Sequence, residues 1–409
     1  MLSTEQKNQF SDILEELGKS LDISELQYDA AVKSYEAVGN WLAKEDSTLA
    51  PYFPEILPQG SFMLGTMVKP INEKDDLDID LVCQLKGKNA SWTQEELKNK
   101  VGDRLKTHDT YNKMLDEEGR RCWTLVYSDA ANYHMDILPS IVDVGYRVVL
   151  EKAFSDSDLQ DIEKLGIRIT DNKTDNYEWE TNHLEWMKSN PFGFARWFFE
   201  QATLEIRKAL LLSESIAPVP KYNKEKLPLQ RVVQILKRHR DMMFNGDEHK
   251  PISIIITTLA SKAYKKETNI IDALINVVND IPNHIEERWS EDHGKTIKWI
   301  SNPMNDEENF ADKWIEHPQR EKNFYHWIAE VQKDLNNILG QRGKGIQFIN
   351  ESMTKPFGKK AVNMAFNSYG EKYLKKRESG AMKMAAGTGM LGSSGRVAVP
   401  QHKPFGKNE

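Results

Sequence analysis

Cysteine is nearly absent from this chain: Cys83 and Cys122 are the only two in 409 residues. Two thiols make neither a disulfide framework nor a cysteine-based zinc site, and such sparing use suits a reducing compartment. Long apolar runs are missing as well. Nothing approaches the roughly 20 residues that a membrane-spanning helix needs. The opening stretch MLSTEQKNQFSDILEEL is acidic and amphipathic, unlike a secretory leader. The cytoplasm is therefore the expected address, with no membrane partner. Positive charge is also in short supply, since the formal net charge is −7. The deficit is uneven. Residues 355–409 carry eleven Lys/Arg against three Asp/Glu, or +8, which leaves −15 for the remainder. An acidic body is poorly suited to gripping duplex nucleic acid, where phosphate neutralisation supplies most of the non-specific affinity. Nucleic-acid binding is not required of it.

With 39% hydrophobic and 29% charged residues, the composition is that of a soluble globular chain, long enough for two or three packed units. Residues 4–45 read as helical, because Phe10, Ile13, Leu14, Leu17 and Leu21 recur at helical spacing. The prolines of LAPYFPEILPQGS end that pattern. Strand-like runs follow, LDIDLVCQL, CWTLVYS, YHMDILPSIVDV and YRVVLE, with a helix expected around TQEELKNKVGDRLKTH. Polar, loop-like sequence occupies SDSDLQDIEK and TDNKTDNYEWETN, and after Pro191 the chain turns mostly helical, with IAPVPKYNKEKLP as a loop or lid. The expected division is 1–50 as an N-terminal helix bracing two lobes and 51–190 as a catalytic core. Residues 191–378 would form a helical lobe, and 379–409 a flexible tail rich in Gly, Ala, Ser and Met. No internal repeat is visible.

The unusual segment is DDLDIDLV, residues 75–82, shortly after QGSF. A strand turns alternate side chains to opposite faces, so Asp76, Asp78 and Asp80 share one face and Leu77, Ile79 and Leu81 the other. Acids on one face cannot enter a core unpaired. That face meets either water or something positive. Mg²⁺ prefers oxygen ligands, commonly a few carboxylates together with substrate phosphates, and a pair of such ions can clamp both oxygens of a phosphoryl transfer. Asp136, set between Met135 and Ile137 in an apolar run, offers a third carboxylate. The bland alternative is a solvated strand face with Asp136 paired to an arginine such as Arg147. Gly60 would let backbone approach a ligand closely, and Ser61 could donate to phosphate oxygens.

QGSF, DLDIDLV and HMDILPS together resemble the nucleotidyltransferase superfamily related to DNA polymerase beta. Within it they are similar to the bacterial cyclic GMP-AMP synthase-like enzymes, the CD-NTases of antiphage cyclic-oligonucleotide signalling. In the second half, LQRVVQILKRHRDMMF with KPISIIITTLA is similar to the paired helices of that branch, and NPMNDEENFADKW resembles the segment shared with oligoadenylate synthetases. The likeness covers about residues 55–340. It implies an α+β fold: a polymerase-beta-like core of mixed sheet and helices plus a helical lobe, with the active site in the cleft between them.

By that resemblance Asp78, Asp80 and Asp136 would bind two Mg²⁺ ions, with Mn²⁺ able to substitute, and position the attacking hydroxyl, which Asp136 would help deprotonate. Gln59, Gly60, Ser61, Lys237 and Ser253 would contact the triphosphate. Taken alone, Lys237 reads as a solvated lysine beside the apolar stripe of Val232, Ile235, Leu236 and Met243, and Ser253 as a helix N-cap. His134 reads as structural, Cys83 as packing behind the acidic strand, and Trp179, Trp186 and Trp197 as packing anchors.

The expected activity is synthesis of a cyclic oligonucleotide, a cyclic GMP-AMP-type dinucleotide by overall likeness, from ATP and GTP or other NTPs. A downstream effector would bind the product, and a ubiquitin-transfer-like partner would act on the tail. A template-free RNA-tailing enzyme and a non-catalytic antitoxin or scaffold are the competing readings. Base identity, linkage and ring size stay open at this level.

Overall fold

The computed structural model describes residues 2–72, 76–127, 133–142, 166–203, 222–291, 293–385, 389, 391–392 and 396–399. In chain order the main elements are α1 (Thr4–Leu21), α2 (Glu25–Ala43), β1 (Glu55–Pro58), α3 (Gly60–Met63), β2 (Leu77–Leu85), α4 (Gln94–Lys106) and α5 (Asp109–Met114). Then come β3 (Trp123–Tyr127), β4 (Tyr133–Ile141), β5 (Ile167–Ile169), β6 (Met187–Ser189) and α6 (Pro191–Ala202). The rest is mostly helical: α7 (Pro228–Phe244), α8 (Ser253–Ala263), α9 (Ile270–Asp280), the strands β7 (Glu286–Ser290) and β8 (Lys295–Trp299), α10 (Pro318–Gly340), α11 (Ile346–Phe357) and α12 (Lys359–Glu378). Among the described residues no helix is long and apolar enough to cross a membrane. The chain divides into two compact units, residues 23–226 with 301–309, and residues 1–22 with 227–300 and 310–409.

The first unit is a mixed sheet backed by helices. β2 and β4 run parallel at its centre, in register from Leu77↔Tyr133 to Leu85↔Ile141. β1 lies antiparallel along the outer side of β2, while β3 and then β5 line the other side of β4, with β6 beyond β5. The alternation expected of LDIDLV holds. Leu77, Ile79 and Leu81, with Tyr133, Met135 and Ile137 of β4, pack into one core with Tyr35, Val38 and Leu42 of α2 and Leu97, Val101 and Leu105 of α4. On α2 the buried positions 28, 31, 35, 38 and 42 keep helical spacing, so one stripe meets the sheet. Asp171, wholly buried after β5, takes hydrogen bonds from Arg120 Nε (2.7 Å) and Arg121 Nε (2.8 Å), tying the approach to β3 to that segment.

The second unit is helical apart from the β7–β8 hairpin and short strand pieces. Every residue of α7 from Leu229 to Arg240 is buried, polar ones included. Arg231 reaches Asp22 (2.8 Å) and Glu15 (3.0 Å), and Gln234 Nε2 donates to the other oxygen of Asp22 (2.8 Å). Buried charge is tolerable when paired in this way.

Three features depart from the sequence reading. Residues 4–45 form two helices, because Ser24 caps α2 through a reciprocal Ser24–Gln27 capping box. The proline-rich stretch hides the edge strand β1, where Pro58 is acceptable because an edge position need not donate to a neighbour. The β7–β8 hairpin was not expected at all. YRVVLE, SDSDLQDIEK and residues 216–221 of the lid segment lie outside the described residues. Within 379–409, Lys383–Met384 pairs with both Leu391–Gly392 and Val397–Ala398, and Met382 and Ala385 are buried.

Candidate active site

The acids sit where the sheet leaves its core. Asp78 is exposed and Asp80 half-buried on β2, and Asp136 is half-buried on β4. All three lie on the face opposite Leu77, Ile79 and Met135. The parallel register sets Asp80 directly beside Asp136 and Asp78 beside His134. In-register neighbours on adjacent strands stand only about 5 Å apart at Cβ, so two like charges are held close by backbone pairing alone. Such an arrangement is stable when a cation or strong donors share the face. Asp76, which the sequence placed on the same face, is engaged by His134 Nε2 at 2.8 Å, in keeping with a structural role for that histidine.

Gly60 closes one side. The backbone N–H of Gln59 donates to the Asp80 carbonyl (2.9 Å), which fastens the start of α3 to β2. Gly60 then adopts φ +58, and a Cβ built on it would lie 2.5 Å from Asp80 Oδ2. Glycine is required twice over, for a left-handed backbone and for the absence of a side chain. Behind the turn, Phe62 stacks on Tyr28 (4.8 Å between ring centroids, 9° interplanar) and meets Tyr35 edge-on (6.2 Å). The turn carrying Ser61 thus rests on α2.

The other side is formed by β3. Thr124, opposite Asp136 in the antiparallel register, donates its hydroxyl to Asp136 Oδ1 at 2.5 Å. The Cys122 thiol lies near enough to feel both acids. Burial first, then the Asp136 and Asp80 charges, push its pKa up to about 12. Neither residue was singled out from sequence. The alternation in CWTLVY put Cys122, Thr124 and Val126 on one face, but only the pairing of β3 with β4 shows what that face meets. The same register gives Asp136 a hydroxyl partner; Arg147, the alternative partner, is outside the described residues.

Among the described residues no three His, Cys, Asp or Glu side chains converge on one point. The backbone supplies three carboxylates on one face, two of them in register, beside a turn stripped of its side chain. That all-oxygen donor set fits a hard divalent cation such as Mg²⁺, which takes a few carboxylates and completes its shell with water and phosphate.

Lys237 and Ser253 belong to the helical unit, and each differs from its plain sequence reading. Lys237 is 5% exposed, so it is not a solvated surface lysine. Ser253 is the first residue of α8 and Ile252 holds the cap position; the Ser253 hydroxyl accepts from Arg240 Nη1 (2.9 Å), which also reaches the Pro251 carbonyl (3.1 Å). Trp186 is a packing anchor as expected, at 1% exposure, whereas Trp179 is 66% exposed. Cys83 is wholly buried behind the acidic face.

Residues 54–139, which carry the Gly60 turn and all three acids, match the family described as cyclic GMP-AMP synthase DncV-like, nucleotidyltransferase domain. Over 391 residues, 95% of this chain and 94% of the relative, the sequence is 27% identical to a protein of Roseivirga ehrenbergii named c-di-GMP synthase. It is 21% identical over 378 residues, 88% of this chain and 83% of the relative, to the cyclic dinucleotide synthase CdnG of Bradyrhizobium diazoefficiens. The solved structure of that CdnG in complex with GTP superposes with a TM-score of 0.63 at 18% identity, covering 88% of this chain and 97% of the other. The mixed sheet with helices is thus the fold of the CD-NTases, and the chain is a nucleotidyltransferase whose residues 54–139 match the DncV-like nucleotidyltransferase domain.

Proposed function

We propose that this enzyme joins nucleoside triphosphates into a guanine-containing cyclic dinucleotide that signals to a downstream effector in antiphage defence. The observation that carries the reading is the Asp80–Asp136 register pair with Gly60 against Asp80. Relatives named as a c-di-GMP synthase and a cyclic dinucleotide synthase support the product class. GTP in the CdnG complex supports the substrate class.

In this reading Asp78, Asp80 and Asp136 would hold two Mg²⁺ ions, replaceable by Mn²⁺, which would supply charge neutralisation for the triphosphate and a lowered pKa for the attacking ribose hydroxyl. Asp136 would also help accept that proton. The Gln59–Gly60–Ser61 turn cradles the triphosphate: Gly60 keeps the approach clear, and the Ser61 hydroxyl donates to a phosphate oxygen. Lys237 and Ser253 are the remaining proposed triphosphate contacts, the first a positive charge and the second a hydroxyl. A tailing polymerase would use the same triad, so product shape separates the readings.

The test is incubation of purified protein with α-³²P-GTP and Mg²⁺, with and without ATP, followed by phosphatase and chromatography. A phosphatase-resistant spot from GTP alone means cyclic di-GMP, and one that needs both nucleotides means cyclic GMP-AMP. A ladder would mean a polymerase, and a complete lack of product at any nucleotide or metal concentration a scaffold. For the tail, the proposal is that a ubiquitin-transfer-like partner acts on residues 379–409; a chain lacking them should keep basal synthesis and lose conjugation.

A further inference from the structure

Thr124, Asp136 and Asp80 form a row across three adjacent strands, β3, β4 and β2, because Asp136 is the register partner of both others. Within that row Thr124 Oγ1 donates to Asp136 Oδ1. We propose that Thr124 is a positioning residue for the metal-binding carboxylate of Asp136, a role that rests on the reading of Asp136 as a Mg²⁺ ligand.

A carboxylate on a strand turns broadly about its last torsion, since the rotation from sp³ to sp² carbon has only a shallow two-fold preference. Asp136 is also pressed by the like charge of Asp80 and, unrestrained, would swing away from it. The Thr124 hydroxyl opposes that swing. It occupies one oxygen of Asp136 and fixes the plane of the group, leaving Oδ2 to serve a cation. Threonine suits the position for a second reason: its branched Cβ has few χ1 choices in a strand, so the hydroxyl is itself held. Its neighbours on the same face of β3 cannot replace it. Val126 has no polar atom, and the Cys122 thiol is a weak donor. Removing a partner that orients a metal-ligating group commonly costs 10- to 100-fold in metal affinity or activity.

The experiment compares wild type, Thr124→Val, Thr124→Ser and Asp136→Asn by titration with Mn²⁺, followed by electron paramagnetic resonance of the free ion, alongside thermal melts. Thr124→Val keeps the shape and removes the donor; its Mn²⁺ dissociation constant should rise about tenfold, with the melting temperature close to wild type. Thr124→Ser, which keeps the hydroxyl, should stay within about twofold to threefold of wild type. Unchanged Mn²⁺ affinity in Thr124→Val would overturn the role, as would a loss in Thr124→Ser equal to that in Thr124→Val, which would mean that the methyl packing matters instead. Should the valine variant not fold, Thr124→Ser against Thr124→Ala reads the same hydroxyl. If wild type and Asp136→Asn bind Mn²⁺ alike, the reading of Asp136 as a ligand fails, and the proposal for Thr124 falls with it.

Discussion

Gly60 passes so close to Asp80 that a methyl group on its α-carbon would sit 2.5 Å from Asp80 Oδ2. Real contacts of that length do not persist, so a side chain here must displace the carboxylate, the turn, or both. Gly60→Ala adds left-handed backbone strain of about 1–2 kcal/mol. Turnover should fall at least about tenfold, one unit of 1.4 kcal/mol in barrier, while the melting temperature drops by only a few degrees. Initial rates at saturating NTP with a parallel melt check this. Wild-type turnover in Gly60→Ala would show that the close approach has no catalytic meaning.

Asp78 and Asp80 project from the solvent face of β2, away from the core, so neutralising either should leave the fold intact. Asp78→Asn or Asp80→Asn should reduce product formation with Mg²⁺ by about 100-fold or more, because electrostatic stabilisation of developing charge is usually the largest catalytic contribution. Circular dichroism and melting should match wild type. Near-normal rates in either variant would remove the carboxylate from the chemistry.

Lys237 is buried, so truncation to alanine would confuse packing with charge. Lys237→Met retains the stem and removes the ammonium. The NTP KM should rise by about tenfold, with a smaller fall in kcat, because a phosphate contact shared by ground and transition states supports binding uniformly. An unchanged KM returns Lys237 to a structural role.

Cys122 reports on the acids without any nucleotide turnover. Its thiol pKa is pushed up to about 12 by burial and by the Asp136 and Asp80 charges. The thiolate fraction at pH 8 is therefore minute, and alkylation by iodoacetamide should be slow, rising about tenfold per pH unit from pH 8 to 10 without a plateau. Asp136→Asn removes one of those charges and should speed the reaction at fixed pH. A plateau near pH 8.5 in wild type would contradict the placement of Cys122 beside the acids.

Burial alone would push the Asp171 carboxyl up. The hydrogen bonds from Arg120 and Arg121, aided by the Lys173 amide, outweigh it and hold the group below the usual carboxylate range. A depressed folded value means that stability is gained from the ionised form. The gain is present at neutral pH and is lost as pH falls below about 4, the unfolded value, through the lower folded one. Asp171→Asn should cost about 1–3 kcal/mol at pH 7, and the gap to wild type should narrow at pH 3. Chemical denaturation at the two pH values measures both, and a gap that widens on acidification would reverse the sign.

The acidic strand was legible because its signal is local. Alternation of Asp with Leu and Ile in LDIDLV obliges one polar and one apolar face wherever the strand is placed, and the apolar half entered the core as written. The Ser24 capping box was equally local, written as Ser24 and Gln27, but the helical periodicity on both sides masked it. β1 escaped notice for the opposite reason: three prolines argue against a strand unless it is known to lie at an edge. The burial of Lys237 was likewise invisible, since a helix sequence does not say how many neighbours will surround it.

The sequence by itself determined the residue types of the site and their spacing: a Gly-Ser turn, two acids two residues apart on one strand, and a third acid in a later apolar strand. Alternation with period two dictated which of them could share a face. Only the tertiary structure decided that Asp80 stands level with Asp136 rather than one residue out of step, that Thr124 holds Asp136, and that Gly60 lies against Asp80. The reason is physical. Register between strands separated by tens of residues is chosen by the whole sheet and the helices that cover it, because a one-residue slip would turn Leu77, Ile79 and Leu81 out of the core and the acids into it.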